Sequence, residues 1–267
     1  MNPDNLLQIF LTSIIQGITE FLPISSSGHI LFLNKIFDWN DVNLTLVVAA
    51  HFGTLLAVIK YFWLDIKKYF IFGFVSFYKK NNNFEKRMLT NVFFSTLPII
   101  VIGFILRIYP IKFLYTVPIL IFATLFFALI LFISDRTKIN KKIGDLTNFH
   151  ALVIGFFQIF ALIPGASRAG VCISAARFLG FDRLIATKYS MYLSIPTITA
   201  ASLIIIIDFV NKTSSFYWIE IVLAFVLSFI FALVTIDFFL KILKKINLTF
   251  FVIYRIIISL LFIFIFY

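Results

Sequence analysis

Two short stretches of this sequence gather the residue types that handle phosphate. The first is Gln16-Gly-Ile-Thr-Glu20-Phe-Leu-Pro23-Ile-Ser25-Ser26-Ser27-Gly28-His29. The second is Gln158-Ile-Phe-Ala-Leu-Ile-Pro164-Gly-Ala-Ser167-Arg168-Ala-Gly170. Gln16 and Glu20 are four apart and share a face if the segment is helical. Their oxygens suit a hard cation, Mg²⁺ or Ca²⁺, held against phosphate oxygens; the plainer reading is that they brace a helix break. A serine run ahead of a helix offers backbone N–H groups and hydroxyls to an anion. Serines also satisfy freed backbone groups in broken membrane helices. His29, three residues past Ser26, is in reach of a serine hydroxyl or a water. It is a candidate general base or nucleophile, or else a hydrogen-bonded packing residue. Arg168 is the most informative residue. A guanidinium on a Gly/Pro turn must find an anion, and its planar fork matches phosphate. An ion pair with Glu20 is the structural alternative, and the two can coexist.

These residues sit in a membrane chain. Of 267 residues 61% are hydrophobic and 13% charged, against about 45–50% and about 25% in soluble domains. Several apolar runs reach the ~20 residues that cross a bilayer as helix. Six full spans are expected, at about Leu44–Leu64, Thr90–Tyr109, Leu114–Ser134, Tyr189–Phe209, Tyr217–Leu240 and Leu248–Phe266. The expected fold is all-α and polytopic, one integral membrane domain over 1–267. The start of the chain has no basic n-region or nearby small-residue cleavage site, so no removable signal peptide is expected.

Two further apolar stretches, about Leu6–Phe37 and Phe149–Gly180, are each broken near the middle by Pro, Gly and Ser. Their halves are too short to span, and broken helices at membrane depth survive only where protein buries them or a wet cavity adjoins them. Each reads as a re-entrant helical hairpin whose tip carries one phosphate-handling stretch. The tips can be overlaid with Pro23 on Pro164 and Ser26 on Ser167. Three spans follow each hairpin, which makes an internal repeat of about 1–134 and 149–267. An odd number of spans inverts the second copy. If the tips meet at the pseudo-twofold axis, Gln16, Glu20, Ser25, Ser26, Ser27, His29, Gln158, Ser167 and Arg168 share one pocket.

The net charge of +11 would suggest nucleic acid in a soluble protein. Here the basic residues lie in short loops, so they report orientation instead. The loops at Asp65–Glu85 with Lys86 and Arg87, Asp135–Asn148, Asp182–Lys188 and Lys241–Asn247 carry fifteen Lys or Arg. Those at Lys35, Arg107 with Lys112, and Lys212 carry four. The first group is expected in the cytoplasm and both termini outside.

Other candidates rank lower. His51, mid-span beside Gly53 and Thr54, is expected to pack against another helix, and His150 to be interfacial. Arg255 is expected to snorkel or to pair with Asp237, and Asp182-Arg183 to form a cytoplasmic turn. Cys172, the single cysteine, is expected to be packing. No Cys/His cluster has transition-metal spacing, and no P-loop or dinucleotide fingerprint is present.

The two stretches resemble the two signatures of the undecaprenyl-diphosphate phosphatases of the bacitracin-resistance type. Tyr189-Ser-Met-Tyr-Leu-Ser-Ile-Pro196 resembles a third block of that family. The similarity covers the whole chain. It implies hydrolysis of undecaprenyl diphosphate to the monophosphate, recycling the lipid carrier of peptidoglycan synthesis. It also implies divalent-metal dependence and a multi-pass protein of the bacterial plasma membrane with its site open to the outer, periplasmic face. Carried over by motif, Gln16 and Glu20 are the amide/acid pair and metal site. Ser26 and His29 are the candidate catalytic groups, and Arg168 grips phosphate. Ser25, Ser27, Gln158 and Ser167 are expected around the substrate. The first position of the pair is Gln here, a variant the family accepts. Ala169 stands where the pattern usually has a serine, which removes a hydroxyl beside the phosphate. Ser26, His29 or a His29-activated water could attack, and the sequence leaves this open. The expected partners are a polyprenyl diphosphate lipid and the bilayer, with a homodimer allowed and no nucleic acid. An inverted-repeat transporter or polyprenyl-phosphate flippase is the alternative. A scaffold would leave the intramembrane Arg and His without purpose.

Overall fold

In lipid no water is present to satisfy backbone groups, so apolar runs close their hydrogen bonds internally as helices. The computed structural model describes residues 3–39, 44–79, 83–210 and 218–266, and they fold accordingly. Lys80 of the Asp65–Glu85 segment and Lys212 lie outside this set. Among the described residues four helices are long and apolar enough to cross a membrane. They are α6 (Phe84–Ile108), α7 (Val117–Asp135), α11 (Trp218–Ile242) and α12 (Thr249–Phe266). The 28-residue α10 (Arg183–Val210) covers the expected Tyr189–Phe209 segment. Large apolar side chains on the outer faces of these helices are exposed, Phe122, Val234, Phe238 and Phe264 among them. A contiguous surface of that kind needs lipid to cover it. The chain is a multi-pass membrane protein.

The first expected span is shorter than the sequence suggested. α3 (Leu44–Tyr61) stops at Phe62, and the chain turns by 78° into α4 (Trp63–Ile66), a π turn at Lys67–Ile71 and α5 (Phe72–Tyr78). The Asp65–Glu85 segment is therefore mostly helix rather than loop. Its run Tyr69-Phe-Ile-Phe-Gly-Phe-Val-Ser76 is too apolar to stay in water, and it packs back along α6.

Both expected breaks are present, each between two helices. α1 (Pro3–Thr19) is followed by α2 (Ser26–Ile36), and α8 (Asn148–Ile159) by α9 (Arg168–Phe178). Their packing is exchanged between the halves. α1 lies on α11 and α8 on α6, so the first helix of each hairpin rests on the middle long helix of the other half. Small residues let the backbones approach. A Cβ on Gly17 would lie 2.8 Å from the Ser228 carbonyl oxygen, and one on Gly155 2.7 Å from that of Ser95.

A buried ionic knot ties the far ends of α7, α9, α10 and α12. Arg183 donates to both oxygens of Asp135 at 2.5 and 3.0 Å, and the Leu248 N–H donates to one of them at 3.0 Å. Arg177 donates to the carbonyls of Asp135, Thr137 and Phe181. The expected Asp182-Arg183 turn is thus the start of α10, with Arg183 fixed rather than free.

Candidate active site

The first break starts where α1 runs out of donors. Pro23 has no N–H, and the Ile24 N–H turns back to the Leu22 carbonyl at 2.8 Å. Ser25 then takes φ 71° and caps α2, its Oγ accepting from the Gly28 N–H at 3.4 Å. In the second break Gly165 takes φ +94°, and a Cβ there would lie 2.5 Å from the Leu120 carbonyl oxygen, so only glycine fits. Ser167 takes φ 68° and caps α9, its Oγ accepting from the Gly170 N–H at 3.1 Å. Positive φ is uncommon outside glycine and marks strained, over-determined sites.

The paired caps correct the overlay drawn from the prolines. Ser25, not Ser26, is the counterpart of Ser167. The same register, without a gap, puts Gln16 on Gln158 and Gly28 on Gly170, and Ser26 on Arg168. The proline match misled because proline suits any of several positions in a break, whereas the cap serine must precede the helix by one residue.

Arg255 locks the two breaks together. It is fully buried, and it donates to the carbonyls of Pro23 (3.3 Å), Gly165 (2.8 Å), Ala166 (3.2 Å) and Thr124 (3.1 Å). The expected snorkelling or pairing with Asp237 does not occur. Asp237 pairs with Lys241 and Tyr61 instead. The carbonyls freed by two broken helices are a nearer and better-matched acceptor set than a distant carboxylate.

Glu20 is the hub of the site. Its Oε1 accepts from Arg168 Nη2 at 3.1 Å, and its Oε2 from Gln16 Nε2 at 2.7 Å and Ser26 Oγ at 3.1 Å. Arg168 Nη1 donates to the Ser190 carbonyl at 3.1 Å, which fixes the plane of the fork. Glu20, Ser25, Ser26, Ser27, Ser167 and Arg168 line one cavity of about 230 Å³ with His51, Thr197 and an apolar wall that includes Ile99 and Leu162.

Three expected site residues stand behind that wall. Gln16 buttresses Glu20 and is buried. Gln158 donates to the Ser95 carbonyl and accepts from Thr197 Oγ1. His29 does not meet the Ser26 hydroxyl. Its Nδ1 lies 2.7 Å from the Ser25 carbonyl, so that nitrogen carries the proton, and its Nε2 lies 2.7 Å from Tyr254 Oη and accepts from it. The side chain follows the helix back to the carbonyl four residues earlier, because Ser25 is the cap of the same helix. Tyr254, Arg255, Ser190 and Thr197 were not singled out as site residues by type or spacing. His51 was expected to pack, and it instead faces the cavity with Nδ1 turned to the Val47 carbonyl.

The family described as bacitracin resistance protein BacA matches residues 9–261. The chain belongs to that family. Within it, the undecaprenyl-diphosphatase of Pelagibacter ubique (strain HTCC1062) is 36% identical over 260 residues, covering 96% of each chain. That of Idiomarina loihiensis is 36% identical over 254 residues, 95% of this chain and 96% of the other. That of Hahella chejuensis is 38% identical over 249 residues, 93% and 94%. The BacA match takes in both breaks, the Arg255 lock and the cavity, so the whole site lies inside the shared region.

A divalent cation fits the residues present in a limited way. Glu20 offers one carboxylate on the cavity wall, and Gln16 Oε1 is buried without a partner. Among the described residues no three His, Cys, Asp or Glu side chains form a metal-binding group. Such a donor set suits a hard ion that keeps water and completes its shell with phosphate oxygens, not a closed protein cage.

Proposed function

We propose that this BacA-family chain hydrolyses undecaprenyl diphosphate to undecaprenyl phosphate and inorganic phosphate. The supporting observation is the Ser26–Glu20–Arg168 constellation on one intramembrane cavity, a nucleophile, an acceptor for its proton and a phosphate grip within 3.1 Å contacts. The curated relatives carry that activity in their names across nearly the full length of the chain.

In this reading the diphosphate takes the place of Glu20 on Arg168, whose fork then spans two phosphate oxygens. The hydrogen bond to Glu20 orients Ser26 Oγ. The oxygen attacks the terminal phosphorus while its proton passes to Glu20. The bridging P–O bond breaks, and its electron pair leaves with the lipid monophosphate. Water then cleaves the phosphoserine and frees phosphate. The cap N–H groups and hydroxyls of Ser25, Ser27 and Ser167 hold the equatorial oxygens. Glu20 and Gln16 would hold Mg²⁺ or Ca²⁺, which neutralises charge on the transferred group. His29, tied to the Ser25 carbonyl and Tyr254, sets the shape of the first break.

The lysine and arginine bias of the loops supports a cytoplasmic position for their end of the molecule, and on that reading the site opens toward the outer face of the plasma membrane. Hydrolysis there would recycle the lipid carrier of peptidoglycan synthesis and confer bacitracin resistance. The test is purified protein with polyprenyl diphosphate and Mg²⁺. Released phosphate and lipid monophosphate should appear in equal amounts and vanish with chelator. Movement of intact diphosphate lipid between leaflets without phosphate release would favour the flippase instead.

A further inference from the structure

A second, larger cavity, about 560 Å³, lies where α3, α10 and α11 end, and four lysines, Lys60, Lys188, Lys241 and Lys244, line it. It is separate from the catalytic cavity. On α3 Lys60 here lies nine positions after His51 on the catalytic wall, and on α10 Thr197 there lies nine positions after Lys188 here. At the helical rise that is about 13 Å along both helices. The edge-to-face pair Phe62–Tyr192 lies on the α3–α10 packing between the two, its centroids 5.2 Å apart.

The charges inside are not balanced. Asp237 is neutralised by Lys241 at 2.5 Å and also accepts from Tyr61 Oη at 3.2 Å. Asp65 accepts from Tyr192 Oη at 2.6 Å. Lys60 Nζ sits 5.7 Å over the Phe229 ring. Lys188 and Lys244 have no carboxylate partner among the described residues. Lys188 is half-buried and Lys244 exposed, and two such cations lining one open cavity favour an anion there.

The surroundings say which kind. Trp63 and Leu64 stand at the mouth with 52% and 79% of their surfaces exposed. Beyond them the 78° turn lays α4 and α5 away from the α3 axis, and Phe72, Phe74 and Val75 are exposed beside Lys67 and Lys68. An exposed apolar arm with flanking lysines belongs at head-group depth in a bilayer. Basic pockets between membrane helices at that depth take the phosphates of anionic lipids.

We infer that this cavity is a binding site for the phosphate head group of an anionic membrane lipid, held by Lys188 and Lys244 and roofed by Trp63. The assignment goes beyond the hydrolytic reading and does not depend on it.

Trp63 is the probe. The protein carrying Trp39→Phe and Trp218→Phe keeps it as the one indole. It is placed in phosphatidylcholine nanodiscs containing a minor share of brominated phosphatidic acid or brominated phosphatidylcholine, and quenching of Trp63 is read. The anionic lipid should quench at least threefold more effectively. Lys188→Gln with Lys244→Gln should abolish that preference, bringing quenching by the two lipids to the same level, since each lysine near a lipid surface attracts anionic lipid, while phosphate release from polyprenyl diphosphate in neutral nanodiscs stays unchanged. Equal quenching by both lipids would overturn the proposal, as would a preference that survives in the double variant. A response of Trp63 to millimolar inorganic phosphate that abolishes the lipid preference would assign the site to free phosphate and overturn the lipid assignment.

Discussion

Arg168 Nη2 and Glu20 Oε1 meet at 3.1 Å, and with that contact two helix breaks 148 residues apart become one site. Both side chains are almost buried, at 11% and 7% exposure, so each is the other's main counter-charge. A buried pair that loses one partner leaves an uncompensated charge, which costs about 3–5 kcal/mol. In the proposed mechanism a phosphate that takes Arg168 leaves Glu20 without this counter-charge, which favours Glu20 taking up the Ser26 proton.

Arg168→Lys should lose most activity although the charge is kept. A point charge on a flexible stem cannot reproduce a fork that is already aligned by the Ser190 carbonyl. Loss of about 3 kcal/mol of transition-state contact slows turnover by roughly two orders of magnitude. Arg168→Ala should be worse, because Glu20 then lacks a cationic neighbour. Phosphate release and substrate binding in detergent check both variants. Wild-type turnover in Arg168→Lys would remove Arg168 from the mechanism.

His29 and Tyr254 should behave as one unit. The Tyr254 hydroxyl donates to Nε2, and the two ring planes are nearly parallel, 9° apart. His29→Ala should lower turnover strongly and weaken diphosphate binding with it, since it frees the Ser25 carbonyl and loosens the Ser25–Ser27 cradle. Tyr254→Phe should lower turnover in the same direction by a smaller factor. The double variant should be no worse than His29→Ala, because neighbours in one network do not add. Turnover of the four forms gives the cycle, and additive losses would show the contact to be incidental.

Arg255 should matter more for the fold than its unremarkable place in the last apolar run suggests. Hydrogen bonds to a charged group are worth about 1.5–3 kcal/mol each, and Arg255 makes four to backbone carbonyls. Arg255→Met should lower the thermal midpoint in detergent by many degrees and disable both breaks together. Arg255→Lys should recover only part, since one ammonium cannot serve four acceptors. Asp237→Asn should leave the midpoint nearly unchanged, because Asp237 is exposed and is not the partner of Arg255. An equal loss in Asp237→Asn would restore the pairing that the geometry denies.

Arg255 also shows where sequence reading runs out. The breaks, the helical class and the convergence of Glu20, Ser26 and Arg168 were legible, because proline and glycine interrupt apolar runs and charged groups at membrane depth need each other. The Ser25–Ser167 equivalence was hidden by a proline pair that is closer in type but not in role. The partners of Arg255 are carbonyls, which every residue has, so no side-chain pattern could point to them. His29 was read by its distance to Ser26 along the chain, but a helical side chain reaches the carbonyl four residues back as readily as a neighbour's hydroxyl. The bend at Phe62 carries no Pro or Gly of its own, and its signal was only the apolar run beyond Asp65. A run that long between lysines is better placed along an interface than in a loop.

Sidedness is the remaining expectation with a direct assay. Lysine and arginine favour the cytoplasmic side of a membrane chain, and they crowd the ends where α7 meets α8, α9 meets α10 and α11 meets α12. Native Cys172 is buried and should stay silent toward a membrane-impermeant maleimide. A cysteine at position 142, an exposed site in the lysine-rich loop after α7, should then be unreactive in intact cells and label after lysis. A cysteine at position 112, exposed in the short turn before α7, should label from outside. Positions 80 and 211 lie outside the described residues and should follow 142 and 112 respectively. Because α7 alone joins 112 to 142, the two sites must report opposite sides if α7 spans. Labelling of 142 from outside with protection of 112 would invert the orientation. The catalytic cavity would then face the cytoplasm, and the proposed recycling of carrier released outside would need a separate step to bring the diphosphate inward.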